Sequence, residues 1–303
     1  MSDSSPMSPG ILSPAQMAQA AEDGAYAKAT GRPLKSFLLG LTAGGYIALG
    51  FVFFVTSQVG AADMSWGASR VLGGVVFATG LALVVLTGAE LFTSSTLTLT
   101  ARASGRITWG QLLKNWGVVY VANFLGALTI VGLVFLGGTW RSADGGWGAV
   151  VLNTSLNKVG HTFLEAFVLG ILCNLMVCLA IWAGYSGRTT TDKILAVTMP
   201  IALFVAAGFE HSVANMFMIP LGLLIKQTAE VGFWADAGLV QGDFADLTWG
   251  AFFVDNLLPV TLGNIVGGGV MIGILYWTIF HHLDGPRPAP ERGGKGAASG
   301  AGV

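Results

Sequence analysis

Charged residues are scarce in this sequence. Asp, Glu, Lys and Arg make up 10% of the 303 residues, against about 25% in soluble domains. Apolar residues reach 53% and the mean hydropathy is +0.69. This composition excludes an ordinary soluble domain and indicates an integral membrane protein. The net charge of −1, with few and scattered basic residues, gives no electrostatic case for nucleic acid as a partner.

Cysteine is also scarce, and a signal peptide is not recognisable. Cys173 and Cys178 lie in one apolar segment, too far apart around a helix to face each other in a disulfide. We interpret them as buried packing residues. The first 30 residues lack the basic start and apolar core of a signal peptide, so the N-terminus is expected to be retained.

Six long apolar segments occupy most of the chain: residues 36–58, 71–101, 115–140, 162–185, 194–225 and 256–282. A membrane-spanning helix needs about 20 residues, and four of the segments have an ordinary spanning length. The second and fifth are too long for one straight span and too short for two. Each carries one glutamate, Glu90 or Glu210, although a mid-membrane charge costs about 2.5–3.5 kcal/mol.

The two halves of the sequence repeat a pattern. A Gly-x-Glu motif recurs in the second and fifth segments, and Asn123–Gly126 of the third segment is echoed by Asn264–Gly267 of the sixth. Three spans per repeat is an odd number, which requires the halves to insert with opposite orientations. The predicted fold class is therefore all-α integral membrane, with six transmembrane helices in two inverted three-helix repeats and interrupted second and fifth helices.

Loop charge predicts the orientation and the organisation of the chain. Lys and Arg concentrate before the first span and in the loops after the second and fourth spans, whereas the loop after the fifth span is acidic. The positive-inside rule then places both termini in the cytoplasm. The expected parts are 1–35, a cytoplasmic segment with a short surface helix; 36–140, the first transmembrane repeat; 141–161, an external connector; 162–283, the second transmembrane repeat; and 284–303, a disordered cytoplasmic tail.

The chemistry of a broken helix explains the polar residues around both glutamates. A break frees backbone N–H and C=O groups, which cannot stay unpaired in hydrocarbon. Short polar side chains at the start of each second half-helix are expected to cap it: Thr93, Ser94, Ser95, Ser212 and Asn215. We interpret Glu90 and Glu210 as scaffold residues that accept N–H groups across the breaks. The alternative is a proton or cation site.

Interrupted helices in corresponding positions of inverted repeats predict a transport site at the bilayer midplane. Exposed N–H groups and positive helix ends would attract a small anion there. His211, beside Glu210, is an intramembrane ionisable residue that changes charge near neutral pH, and it has no counterpart in the first half, where Leu91 stands. We hypothesise that His211 exchanges a proton with the passing anion.

Several stretches resemble the formate/nitrite transporter family, and within it the formate channels. They are residues 88–94, 103–111, 174–180, 208–220 and 259–265, and the resemblance extends from about residue 11 to about residue 282. It implies an aquaporin-like fold and a homopentamer with one pore per protomer, the central pore not being the substrate path. One departure is Glu90, where formate channels can carry aspartate.

The resemblance also implies roles for individual residues. His211 and Thr93 would lie at the pore centre, with Asn174 and Asn264 lining the path and contacting the substrate. Lys158 would be a vestibule lysine that gathers anions, and the apolar constrictions would be Phe77, Leu81, Leu91, Val177 and Phe204. The implied function is a passive or proton-linked channel for formate and similar small monovalent anions. We expect it to span a bacterial inner membrane, in contact with the lipid bilayer.

Other functions remain open at this point. Within the same family, the substrate could be nitrite or hydrosulfide. A membrane-embedded serine hydrolase is disfavoured because Ser212 and His211 are adjacent and would point about 100° apart on a helix. A bis-histidine haem needs a second mid-span histidine, and the Asn-Pro-Ala pair of aquaporins does not occur. We therefore expect a transport protein that is not an enzyme, with no cofactor and no metal.

Overall fold

The computed structural model describes residues 11–283 and contains no strand within that range. Residues 1–10 and the tail predicted to be disordered, 284–303, lie outside the described residues. The helices are α1 (Pro14–Thr30), α2 (Pro33–Gln58), α3 (Trp66–Thr87), α4 (Phe92–Ser95), α5 (Thr98–Ala103), α6 (Trp109–Leu136), α7 (Gly146–Val159), α8 (Phe163–Gly184), α9 (Thr190–Ala207), α10 (Ser212–Thr228), α11 (Val231–Asp236) and α12 (Ala251–Leu283), the last a continuous helix with α and π stretches.

The predicted all-helical fold with six spans is confirmed. Within residues 11–283, six helices are long and apolar enough to cross a membrane: α2, α3, α6, α8, α9 and α12. Helix α6 begins at Trp109, several residues earlier than hydropathy predicts. Its start is fixed by a capping box in which the side chains of Thr108 and Gln111 each accept the backbone N–H of the other residue. Because these residues are polar, hydropathy alone assigns them to the preceding loop.

Helices α3 and α9 both stop at a glycine in the left-handed region. Gly88 has φ 72° and Gly208 has φ 79°, a conformation that side chains with a Cβ rarely adopt. After each glycine the chain leaves helical geometry until α4 begins at Phe92 and α10 begins at Ser212. The helix breaks therefore lie inside the second and fifth apolar segments, as predicted.

The connector between the halves contains a helix that was not predicted. Helix α7 packs against α10 and α2, and it buries Trp147, Val151 and Leu152. It ends at Val159, directly after Lys158. The surface helix α1, which was predicted, likewise has a lysine, Lys28, in its last turn. Each half of the chain therefore begins with a helix that carries a lysine at its C-terminal end.

The close packing of the first half recurs in the second. Gly126 on α6 faces the carbonyl of Leu41 on α2, and Gly267 on α12 faces the carbonyl of Ile171 on α8; a Cβ at either glycine would overlap that oxygen. Small residues permit such a close approach between helices in a membrane. The internal repeat is thus present in the packing as well as in the sequence, while the inverted orientation of the halves stays a prediction.

Gly126→Ala should lower the free energy of unfolding by about 1–3 kcal/mol, because the helices must move apart to accept the methyl group. Gly132→Ala is the matched control on the same helix, since a Cβ there meets nothing within 4 Å. It should be neutral or stabilising by about 0.5–1 kcal/mol. Thermal unfolding of the two purified variants in detergent measures the difference, and equal midpoints would contradict the packing argument.

Candidate functional site

An asparagine from α12 braces the second helix break. Asn264 accepts the N–H of Ser212 through Oδ1 at 3.0 Å, and its Nδ2 donates to the carbonyls of Gly170 at 2.8 Å and Glu210 at 3.0 Å. The side chain is fully buried. Backbone groups at a break have no helical partner and must be paired in hydrocarbon. Asn264 therefore has a scaffold function, and its role as a substrate contact stays a prediction.

The first break is braced in the same way by Asn123 of α6. Its Oδ1 accepts the N–H of Phe92 at 2.8 Å, and its Nδ2 donates to the carbonyls of Gly40 at 2.7 Å and Glu90 at 3.0 Å. The bracing role of Asn123 was not predicted, although the sequence echo between the third and sixth segments pointed to both asparagines. The recurrence of an amide at the same place in each half is the signal that identifies it.

The carboxylates of the two glutamates bind side chains and not the backbone of the breaks. The expectation that they accept N–H groups across the breaks was wrong, because those groups donate to Asn123, Asn264 and backbone carbonyls. Glu210 Oε1 accepts from Lys158 Nζ at 2.7 Å, while Oε2 accepts from Asn215 Nδ2 at 2.7 Å and Asn256 Nδ2 at 3.1 Å. Glu210 is buried and its charge is matched by one cation.

Glu90 lies in a weaker network than Glu210. Its carboxylate accepts from Ser36 Oγ at 3.1 Å and from Asn115 Nδ2 at 3.4 Å. Within residues 11–283 no ion pair within 4.0 Å involves Glu90. The two halves therefore share a backbone scaffold but differ in how firmly the buried carboxylate is held.

A second partly buried lysine occupies the position in the first half that Lys158 has in the second. Asn115 Nδ2 donates to the carbonyl of Lys28 at 3.3 Å, just as Asn256 Nδ2 donates to that of Lys158 at 2.7 Å. Lys28 Nζ donates to Ser94 Oγ at 3.4 Å. Burial lowers the pKa of the Lys28 ammonium, and the nearby Glu90 carboxylate opposes that effect. Lys28 was not predicted as a site residue. The signal that could have indicated it is the recurrence of a lysine and an asparagine in both halves, Lys28 with Asn115 and Lys158 with Asn256.

The structure brings His211 and Thr93 together, as the resemblance implies. The imidazole Nε2 and Thr93 Oγ1 are 3.0 Å apart, and Nδ1 accepts the N–H of Ala214 at 3.1 Å. Because Nδ1 is an acceptor, the proton of the neutral ring lies on Nε2 and is donated to Thr93. His211 itself is thus the cap of α10, a role that had been assigned to the polar residues after it.

Asn174 completes this cluster from α8. Its Nδ2 lies 3.0 Å from the carbonyl of Thr93, 3.1 Å from Thr96 Oγ1 and 2.6 Å from the carbonyl of Asn264. It is fully buried. Asn174 therefore holds the backbone of Thr93 and, with it, the hydroxyl that faces His211. Whether Asn174 also contacts the substrate stays a prediction.

A cavity of ≈ 270 Å³ leads to His211. Phe77 and Phe204 form part of its wall with their rings perpendicular at 5.8 Å, and Phe204 stacks on the His211 ring at 5.9 Å. The polar and charged residues that line it are Arg70, Thr154, Asn157, Lys158, His161, Glu210 and His211. Two of the predicted constriction residues, Phe77 and Phe204, thus border the cavity.

The three remaining predicted constriction residues lie outside the cavity lining. Leu81, Leu91 and Val177 belong to the same buried core cluster as Phe77 and Phe204, but they do not line the cavity. All three are almost fully buried. Their role as a constriction on a substrate path stays a prediction.

Two interrupted helices, each braced by one buried asparagine, and a polar cavity that reaches the second break define a helical membrane transport protein. The profile of the formate/nitrite transporter family matches residues 15–278. The chain belongs to that family, and the resemblance noted in the sequence is confirmed.

Individual relatives agree with this assignment. The chain is 52% identical over 270 residues to "Formate channel FocA" of Escherichia coli (strain K12), covering 89% of this chain and 95% of that protein. It is 50% identical over 273 residues to "Formate channel FocA" of Haemophilus influenzae, covering 90% and 96%. A solved structure described as a "Pentameric formate channel with formate bound" has a TM-score of 0.78 at 47% identity, covering 82% of this chain and 97% of that chain.

Glu210→Gln should destabilise the protein far more than Glu90→Gln, although the two residues occupy equivalent positions. Removing one member of a buried ion pair leaves its partner uncompensated and costs about 3–5 kcal/mol, whereas Glu90 loses only hydrogen bonds of about 0.5–1.5 kcal/mol each. Thermal unfolding of the variants in detergent is the measurement. Equal losses of stability would mean that the Lys158 pair does not distinguish the two halves.

Proposed function

We propose that this protein is a formate channel of a bacterial inner membrane, with one pore in each chain of a pentamer. The observation that carries the proposal is the His211–Thr93 pair, whose histidine lines the charged cavity. The names of the relatives and the formate bound in the similar pentamer support the substrate and the assembly. The loop charges support cytoplasmic termini.

Formate meets hydrogen-bond donors at the His211–Thr93 pair. The Thr93 hydroxyl accepts from His211 Nε2–H, so its own hydrogen is available for a carboxylate oxygen. These donors carry no net charge while the imidazole is neutral. A monovalent anion can therefore be bound at this point without the tight hold that a fixed buried charge would give.

The apolar side chains of the predicted constriction favour the uncharged acid over the anion. Leu81, Leu91 and Val177 offer no polar partner, and moving an ionised carboxylate into apolar surroundings costs far more than moving a neutral one. Protonation of formate on the path lowers that barrier. This step makes flux depend on pH, because it joins anion movement to proton movement.

His211 supplies the proton only after its hydrogen bond with Ala214 opens. The ring becomes imidazolium when Nδ1 releases the Ala214 N–H and gains a proton from solution. The Nε2 proton then moves to Thr93 Oγ1 while the hydroxyl proton moves to a formate oxygen, giving formic acid and a neutral ring protonated on Nδ1. The negative charge of the bound formate stabilises the imidazolium that burial disfavours.

The flux of formate, nitrite and hydrosulfide should be measured side by side in liposomes that contain the purified protein. We expect formate to be carried most rapidly, with flux that rises as the pH falls, because a lower pH favours the imidazolium that burial disfavours. Protein-free liposomes are the control. Faster flux of nitrite or hydrosulfide at every pH would assign the chain to another branch of the family.

His211→Asn should flatten the pH dependence of formate flux while flux continues. Asparagine can still cap α10, because it is a favoured N-cap residue, but it does not titrate. His161→Asn is the matched control, since His161 lines the same cavity and lies outside the Thr93 pair. Should the His211 variant keep the wild-type pH profile, or should the His161 variant lose it, His211 is not the proton-exchange residue.

A further inference from the structure

The charges that line the cavity are not equally free to act on an anion. Lys158 Nζ is 2.7 Å from Glu210 Oε1, so the two opposite charges largely cancel at the distance of an approaching anion. His161 Nε2 lies 4.0 Å from the same carboxylate oxygen and is charged only when protonated. Lys158, which the resemblance implies gathers anions, is therefore paired with Glu210. The attraction of an anion into the cavity needs another source.

Arg70 on α3 lines the same cavity without a carboxylate partner. Its Nε donates to the carbonyl of Ala206 at 2.9 Å and its Nη2 donates to that of Val205 at 3.3 Å. Within residues 11–283 no ion pair within 4.0 Å involves Arg70. A guanidinium stays protonated at every physiological pH. Arg70 is thus a permanent positive charge that no neighbouring anion neutralises.

The two carbonyls that Arg70 binds lie at the C-terminal end of α9, where the helix stops at Gly208. That end of a helix carries a partial negative charge of about half a unit, which would repel an anion in the cavity. Arg70 covers the carbonyls, so the local charge at this end of α9 becomes positive. Gly208 leaves room for it, because a Cβ there would lie 3.0 Å from Arg70 Nη2.

The surroundings strengthen the effect of this charge. Phe51, Phe54, Phe77 and Phe204 line the cavity as well, and low-dielectric walls concentrate the field of a charge inside a cleft. The Arg70 guanidinium also lies 5.8 Å from the centre of the Trp66 ring, which helps to fix its position. A formate anion in the cavity that reaches His211 lies within this field.

We infer that Arg70 is the charge that concentrates small anions in the cavity, while Lys158 acts chiefly as the partner that holds Glu210. The inference rests on the proposed function, because it assigns a role to a residue of that same pathway. It predicts a specific kinetic pattern: loss of Arg70 should weaken substrate capture and leave the later steps at His211 intact.

The test compares wild type, Arg70→Gln and Arg70→Lys in liposomes, with formate flux measured against formate concentration. Glutamine keeps a donor for the α9 carbonyls and removes the charge, whereas lysine keeps the charge. At about 0.01 M ionic strength, where charges act over about 30 Å, Arg70→Gln should raise the half-saturating concentration about tenfold. At about 0.15 M the difference should shrink. Maximal flux should change little, and Arg70→Lys should resemble wild type.

Two results would overturn the inference. One is an Arg70→Gln variant with an unchanged half-saturating concentration; the other is a loss confined to maximal flux and equal at both ionic strengths, which indicates a structural role only. The double variant Lys158→Gln with Glu210→Gln removes the pair without changing the net charge. A salt-dependent defect in that variant as large as that of Arg70→Gln would also overturn it.

The design separates this inference from the proposed function. Saturable formate flux by the wild type, above that of protein-free liposomes, tests the function alone. If the wild type carries nitrite and not formate, the proposed substrate fails, and the Arg70 comparison is decided with nitrite, since the argument applies to any small monovalent anion. If the wild type carries formate and the Arg70→Gln variant behaves like it, only the role of Arg70 is overturned.

Discussion

Pairing the backbone groups that two helix breaks expose is the constraint on which the rest of this structure depends. In hydrocarbon each unpaired group costs several kcal/mol, so a break is possible only where the protein supplies partners. Asn123 and Asn264 each supply one acceptor and two donated bonds. The glycines at α6 and α12 then bring those asparagines close enough, because any larger residue would separate the helices.

On this duplicated scaffold the two halves have different chemistry. The second half has His211 at the break and a tightly paired Glu210, whereas the first half has Leu91 and a more weakly bonded Glu90. The histidine of one half meets the threonine of the other, Thr93, so the pair exists only because both breaks lie side by side. A single interrupted helix could not produce this site, which explains why both breaks are required.

The sequence predicts the parts of the fold that local composition determines. The spans follow from apolar runs, and the breaks follow from excess length together with glutamate and glycine at matching places. Helix α7 was missed because its 14 residues are too few to span a membrane and its flanks are rich in glycine, so its stability comes from packing on α2 and α10. The start of α6 was misplaced because the Thr108 capping box is polar.

The site was predictable in its residue types but not in its contacts. His211, Thr93 and Lys158 were identified by their unusual positions and by resemblance. Two of their contacts join residues far apart in the chain: His211 meets Thr93, and Glu210 neutralises Lys158. The Ala214 N–H that fixes the proton on Nε2 is, by contrast, only three residues from His211. The bracing by Asn123 requires the three-dimensional arrangement, since no local pattern distinguishes it from an ordinary polar residue.

The distribution of charge along the path suits rapid passage. A pore must attract its ion strongly enough for entry and hold it weakly enough for release. An unpaired Arg70 in the cavity wall serves the first need, because it acts at a distance through a low-dielectric cavity. Pairing Lys158 with Glu210 serves the second, because an unpaired ammonium beside neutral His211 would retain the anion. Attraction of the anion thus depends on Arg70 and its release depends on the Lys158–Glu210 pair, so either property can be altered without abolishing the other.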